Sequence, residues 1–331
     1  DIKQTRQVFS MSYKCCDALL HKLAINPDNI NFCCSPYDNK LQYLNNYNGE
    51  LIDIEDYERR RSYYLEMFKS GNIPEPCKNC SYVEEHDWDE QIGFKFISIS
   101  SRTKCSCDCI YCVQSKGYPD VKKALNEREC WDVKPVIKEL YDENLILKDC
   151  IYIIGGGEPT EFPEGELEYL AYVGLLTEVQ VVILTNAIIY NDSIAKVISV
   201  APSELKVSVD AGTKATYEKI KRVKAFDTVW KNLAKYVKAV GNNRRGRVQI
   251  KYILLPGIND SMSEIKAFTE KCFQIGCKHI EIAIEYDWYG ENQDKPISEE
   301  LKAAIRYFKS LESKGVFFGD AHDWFERQLR S

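Results

Sequence analysis

Nowhere in this 331-residue chain does an apolar run approach the roughly 18 consecutive residues that a helix needs to cross a membrane, and no charged, apolar, then small-residue signal pattern opens it. A membrane role is therefore not expected, and the cytoplasm is the expected location. Excess positive charge is also lacking. The formal net charge is −6, which gives no general attraction to nucleic acid or anionic lipid. The two basic runs, ERRR at 58–61 and RRGR at 244–247, are short and read as solvated surface. There is no internal repeat and no low-complexity tract. What remains is a globular composition, 44% hydrophobic and 28% charged, long enough for one large domain plus a small one with a proper core.

Cysteine is the abundant exception. There are 14, among them the vicinal pairs Cys15-Cys16 and Cys33-Cys34 and four between residues 105 and 112. Neighbouring cysteines rarely satisfy disulfide geometry with each other, so a reduced, metal-binding chain is expected rather than a disulfide framework.

From residue 94 onward, β-branched apolar runs alternate with helical patterns, as in a parallel α/β sheet. Strands are expected at 94–100, 150–154, 179–185, 205–209, 247–255 and 279–285, with helices at 132–144, 165–176, 190–200, 214–240 and 262–275. Right-handed crossovers would roll these six βα units into an open partial barrel, and the loops after the strands would gather on one face, where α/β proteins place their chemistry. The cysteine-rich loop follows the first strand. Residues 1–92 differ: they hold the turn NPDN at 26–29, a helix at about 55–69 and CKNC at 77–80. A segment with so few regular elements looks stapled by metal rather than cored. The expected division is a small cysteine-rich module at 1–92 and an α/β core with a C-terminal extension at 93–331.

The loop TKCSCDCIYCVQ (103–114) places Cys105, Cys109 and Cys112 at the spacing C-x3-C-x2-C. Three thiolates on a four-iron cluster leave one iron with an open position. The loop resembles the signature of the radical SAM family, including the aromatic residue Tyr111 before the last cysteine. The resemblance continues in GGGEPT (155–160), LTN (184–186), VSVDAG (207–212) and LLPGIND (254–260), in family order across most of residues 94–286. It implies a [4Fe-4S] cluster on the three cysteines with S-adenosylmethionine at its open iron. Gly156 and Gly157 would let the backbone approach that cofactor, Glu158 would receive its ammonium group, and Tyr111, Asn186, Ser208 and Asp210 would line it. Alone, each motif has a plainer reading. Three cysteines suit zinc, a triple glycine suits a tight turn, and a polar residue closing a strand suits a helix cap. Cys107 is read as a bystander, with hydrogen-atom donation as the alternative.

The resemblance further implies one-electron cleavage of S-adenosylmethionine to methionine and a 5′-deoxyadenosyl radical that abstracts a hydrogen atom from substrate. An electron donor such as a reductase or flavodoxin would serve it. Cys16, Cys34, Cys77 and Cys80, with Cys15 and Cys33 as vicinal alternatives, resemble the SPASM or twitch modules that hold an auxiliary cluster in such enzymes. One auxiliary [4Fe-4S] cluster is expected, and a zinc knuckle is the competing reading. Cys130, Cys150, Cys272 and Cys277 receive no role. Relatives with auxiliary clusters modify peptides or proteins, or else sugars and other small molecules, and a peptide substrate is the expectation. No nucleic-acid or membrane partner is expected. YDWYGEN (286–292) and FGDAHDW (318–324) offer polar and aromatic groups near the open mouth, or are surface loop and tail. A non-catalytic iron-sulfur or zinc scaffold is the rival from another class.

Overall fold

The computed structural model describes residues 12–26, 29–33, 41–45, 47, 49–78, 80, 82–88, 90–100, 104–112, 132–162, 165–285, 295–319 and 322–330. The chain forms two compact units, residues 1–101 with 131–152, and residues 102–130 with 153–331.

The first unit contains β1 (Tyr13–Cys15), α1 (Asp17–His21), β2 (Lys22–Ile25), β3 (Asn29–Asn31), β4 (Gln42–Asn45), α2 (Ile54–Lys69), β5 (Glu84–His86), β6 (Phe94–Ile99), α3 (Lys134–Asp142) and β7 (Ile146–Ile154), whose last two residues open the second unit. β1 pairs with β5, and the other strands run in the order β4-β3-β2-β6-β7, with β2 parallel to β6 and the β2-β3-β4 pairings antiparallel. Asp53 caps α2 by accepting from the Asp56 N–H, and the helix buries Tyr57, Arg61, Leu65 and Phe68 along one face. Tyr57 sits among Phe32 (ring centroids 4.6 Å apart), Tyr43 (5.0 Å) and Phe94 (5.6 Å). This part of the chain is therefore cored by aromatics and not only stapled. Those aromatics come from short strands and one helix at irregular spacing, so no single period reveals them.

The second unit continues with α4 (Glu166–Thr177), β8 (Gln180–Thr185), α5 (Asp192–Val200), β9 (Ser203–Ser208), α6 (Lys214–Lys221), α7 (Phe226–Val240), β10 (Gly246–Leu254), α8 (Met262–Gln274), β11 (Ile280–Ile284), α9 (Glu299–Lys309), β12 (Val316–Phe318) and α10 (His322–Arg330). Strands β8 to β12 pair in sequence order, all parallel. The helix expected at 214–240 is two helices, because Arg222 adopts a left-handed φ of 55° that ends α6. A further parallel edge strand, β12, is too short for its periodicity to register.

The two faces of these strands differ. Val207, Ile250, Tyr252, Leu254, Ile280 and Ile282 are buried, and the Tyr252 ring lies 4.5 Å from Phe268 of α8 and 5.7 Å from Phe308 of α9. The alternate positions are polar. Lys206 lies 3.4 Å from Glu204 and 3.3 Å from Glu281, and Lys251 lies 3.2 Å from Glu281. Burial alone would raise the Glu281 carboxyl, but Lys251 and Lys206 hold it below its usual range. A parallel sheet buried on both faces would be apolar on both.

The loop after β9 is set by close packing. A Cβ on Gly212 would lie 2.1 Å from the Glu264 carbonyl oxygen and 2.5 Å from the Phe268 nitrogen, while the Glu264 carboxylate accepts from the N–H groups of Gly212 and Thr213. Gly212→Ala is expected to push α8 off this loop and cost about 3 kcal/mol. The check is the midpoint of chemical unfolding, which falls further for Gly212→Ala than for Gly257→Ser, where the left-handed φ of 77° strains any side chain but the added atom meets nothing within 4 Å.

Candidate active site

The cysteine loop is pinned at its start and in its middle. The Glu158 N–H donates to the Lys104 carbonyl at 2.8 Å, the Asp108 N–H to the Lys221 carbonyl at 3.1 Å, and the Ile110 N–H to the Ile220 carbonyl at 3.0 Å. Arg222 adds an exposed ion pair to Asp108 at 3.4 Å. Cys105, Cys109 and Cys112 are half-buried on this loop, whereas Cys107 is only 4% exposed. Hydrogen bonding with Cys105 and with Cys109, and then burial, pushes the Cys107 thiol well above its usual range. The bond with Cys107 pulls the Cys105 thiol below its usual range against the effect of burial. Three thiols of the loop are thus half-buried and the fourth is buried among them.

Glu158 is where the strand-end motifs meet. Gly156, at φ 90°, turns the chain after β7 into a conformation that suits glycine, and Gly157 follows it half-buried. One Glu158 oxygen, Oε1, accepts from the hydroxyls of Thr185 (2.5 Å) and Thr160 (2.9 Å) and from the Thr160 N–H (3.2 Å); Oε2 accepts from the Asn186 N–H (2.8 Å). Burial raises this carboxyl, and the bonds only partly offset it. A carboxylate oxygen offers about two lone-pair sites, so Oε2 keeps room for one more donor. Asn186 links this centre to the cysteines: its Nδ2 donates to Ser106 Oγ at 3.1 Å and lies 3.8 Å from Cys105 Sγ. Cys105, Glu158 and Asn186, distant in sequence, are thereby brought together.

A second cluster lies under the same loop. The Tyr111 hydroxyl donates to Asp210 Oδ2 at 2.5 Å, and the Lys221 ammonium donates to that oxygen at 2.5 Å and to the Tyr111 hydroxyl at 2.6 Å. Asp210 Oδ1 accepts from the Ile253 N–H at 2.7 Å. The Asp210 side chain, expected to line the cofactor, is fully buried and engaged by these three donors. Ser208 stands half-buried at the end of β9. Asn259, from the LLPGIND motif, has its side chain committed to Asp210, Ile253 and Leu255 backbone groups. Lys221 was not singled out from sequence, because a lysine ending an amphipathic helix reads as solvated and its partner lies on another element.

In the first unit, Cys15, Cys16 and Cys77 are buried and Cys33 and Cys80 half-buried. Cys16 lies within electrostatic reach of Cys15, Cys33 and Cys77, and Cys77 within reach of Cys33, Cys80 and Cys15. Burial pushes the thiols of Cys15 up to about 11 and of Cys16 and Cys77 up to about 12. The Cys80 N–H donates to the Cys77 carbonyl at 3.2 Å, closing a tight turn. Cys34, residues 286–292, and residues 320–321 of the FGDAHDW segment lie outside the described residues. Among the described residues no group of three or more His, Cys, Asp or Glu side chains is disposed around a single metal ion. That sets no limit on a cluster whose thiolates each bind a different iron. No described helix is long and apolar enough to cross a membrane.

Residues 99–269 match the family model of the radical SAM superfamily, and the chain belongs to that superfamily. No curated protein sequence matches it. Among solved structures it is similar to SuiB of Streptococcus suis bound to the precursor peptide SuiA, at 14% identity and a TM-score of 0.50, covering 81% of this chain and 65% of SuiB. It is also similar to anSMEcpe with bound S-adenosylmethionine, at 14% identity and a TM-score of 0.50, covering 67% of this chain and 63% of that one. The chain thus spans less than two thirds of the length of either. The likeness is one of fold: an α/β architecture with a mostly parallel sheet, of the radical SAM partial-barrel type. Membership implies an enzyme that uses a [4Fe-4S] cluster and S-adenosylmethionine. The residues present fit both, since the loop leaves three thiols partly accessible and buries the fourth, and Glu158 retains acceptor capacity near Cys105 through Asn186.

Proposed function

We propose that this chain reductively cleaves S-adenosylmethionine and abstracts a hydrogen atom from a peptide or protein substrate, leading to oxidation, crosslinking or epimerisation. The observation that carries the reading is the junction at Glu158, which follows the glycine turn, bonds the three-cysteine loop through its backbone N–H and ties the end of β8 to its buried carboxylate. Cys105, Cys109 and Cys112 hold the cluster. Glu158 Oε2 accepts from the cofactor's ammonium group, whose charge also relieves the burial of the carboxylate. Gly156 and Gly157 admit its backbone-side approach, and Asn186 and Ser208 present polar groups along it. The Tyr111 ring packs at the site while its hydroxyl anchors the loop to Asp210. When bound, the cluster and S-adenosylmethionine supply a one-electron cleavage of a carbon–sulfur bond and, from it, a 5′-deoxyadenosyl radical able to take an unactivated hydrogen atom.

The peptide assignment is supported by the fold likeness to SuiB, whose structure carries a precursor peptide. The half-exposed ammonium groups of Lys206 and Lys251, on the strand face away from α8 and α9, offer charged contacts to such a substrate. Cys16, Cys77 and Cys80, with a thiolate from the Cys33-Cys34 pair, form an auxiliary [4Fe-4S] site of the SPASM or twitch kind. The electrostatic reach of Cys16 to Cys33 and Cys77, and of Cys77 to Cys33 and Cys80, supports it. A flavodoxin or reductase supplies the electron.

Anaerobic reconstitution followed by dithionite and S-adenosylmethionine tests this reading. 5′-Deoxyadenosine is expected even without substrate, and a cluster-loaded protein yielding none would be a scaffold instead. Glu158→Gln is expected to weaken S-adenosylmethionine binding roughly 10- to 100-fold, in keeping with about 1.5–3 kcal/mol for a hydrogen bond to a charged group, with iron content unchanged. Equilibrium dialysis checks it, and wild-type affinity would remove the carboxylate from the site.

A further inference from the structure

Lys221 presents a question that packing does not answer. Its side chain is 2% exposed, and its charge is buried with Asp210, which is fully buried. A buried ion pair is commonly replaceable by apolar side chains without loss of stability, so the pair is not required merely to hold α6. What distinguishes its location is the loop beside it. Asp108 and Ile110, the two neighbours of Cys109, both donate their N–H groups to the end of α6, at Lys221 and Ile220. Tyr111, the neighbour of Cys112, bonds both members of the pair. Burial would lower the Lys221 pKa, but the Asp210 carboxylate 2.5 Å away, and after it Cys109, raise it instead. The ammonium therefore stays charged within electrostatic reach of the cysteines, where little water screens it.

Resting on the cluster assignment above, we infer that Lys221 sets the reduction potential of the cluster held by Cys105, Cys109 and Cys112, with Asp210 as the counterweight that keeps its ammonium in place and limits its effect. Reduction adds one electron, and so one negative charge, to the cluster; the electron comes from an external one-electron donor such as flavodoxin or dithionite. A fixed cation nearby stabilises that added charge and favours the reduced form, a fixed anion opposes it, and local charge is a known determinant of iron-sulfur potentials. No proton moves, and Lys221 remains an ammonium in both redox states.

The test is a potentiometric titration of the reconstituted protein, following the reduced-cluster electron paramagnetic resonance signal that responds to S-adenosylmethionine, in wild type, Lys221→Met, Asp210→Asn and the double variant. Iron content is measured alongside. Lys221→Met is expected to lower the ratio of reduced to oxidised cluster at least tenfold at the wild-type midpoint, which is 59 mV for a one-electron couple. Asp210→Asn is expected to shift it the opposite way, and the neutral double variant to fall between them. Shifts of opposite sign would not arise from a general loosening of the loop. Single-variant shifts in the same direction, or both within threefold of wild type with iron intact, overturn the inference. Should Lys221→Met fail to take up iron, Asp210→Asn and the double variant decide: a rise in the first that the second abolishes upholds the inference, and no rise refutes it. Failure of the underlying cluster assignment would appear separately, as a wild type with no signal that responds to S-adenosylmethionine.

Discussion

Replacing Cys105, Cys109 or Cys112 with alanine is expected to abolish formation of 5′-deoxyadenosine. Each change removes one of only three thiolates and leaves a second iron without a protein ligand. Iron should fall from about eight atoms per chain to about four, if both proposed clusters are four-iron. Cys107→Ala provides the contrast. Its thiol is buried and held far above its usual pKa range, so it is not a ligand of choice and its loss should leave the cluster and the cleavage reaction in place. A Cys107→Ala protein without the cluster that responds to S-adenosylmethionine, beside a Cys105→Ala protein that keeps it, would reverse the ligand assignment.

The second large effect concerns the auxiliary site. Cys77→Ala with Cys80→Ala should again take iron from about eight to about four atoms, but with the opposite functional outcome: cleavage of S-adenosylmethionine without substrate survives, because the three-cysteine loop belongs to the other compact unit. Turnover of the true substrate should suffer more. Metal binding is part of folding in small sites of this kind, so the double variant should also increase amide exchange around β1, α1 and the Cys77 turn. Hydrogen-exchange mass spectrometry read over residues 12–33 and 71–88 checks this. About four irons and one zinc in the wild type would replace the auxiliary cluster with a zinc staple.

Much of the parallel core was legible because its strands carry dense β-branched runs and its helices a 3.6-residue period, so their existence depends mostly on local pattern. Boundaries were less so: the break at Arg222 rests on one left-handed residue with no glycine to mark it. The aromatic core around Tyr57 carries no local pattern, since it gathers Phe32, Tyr43 and Phe94 from separate parts of the chain. Within the site, cysteine spacing and the GGGEPT motif pointed to the chemistry, because ligand count and glycine turns are local properties of a chain. The bonding of Asp210 to Tyr111 and Lys221 was not legible there.

By itself, then, the sequence pointed to the superfamily, to the alternating strands and helices of the parallel core and to the C-x3-C-x2-C loop, since each is carried by short local motifs. The tertiary structure alone decided which polar groups are spent inside the protein and which stay available. Glu158 keeps one acceptor position only because Thr160, Thr185 and Asn186 converge on the others. Lys221 is charged and buried only because α6 ends against the cysteine loop and β9 delivers Asp210 to meet it. Hydrogen-bond satisfaction and desolvation depend on every group that comes within a few ångströms, and chain folding sets those neighbours across distances that no local pattern encodes.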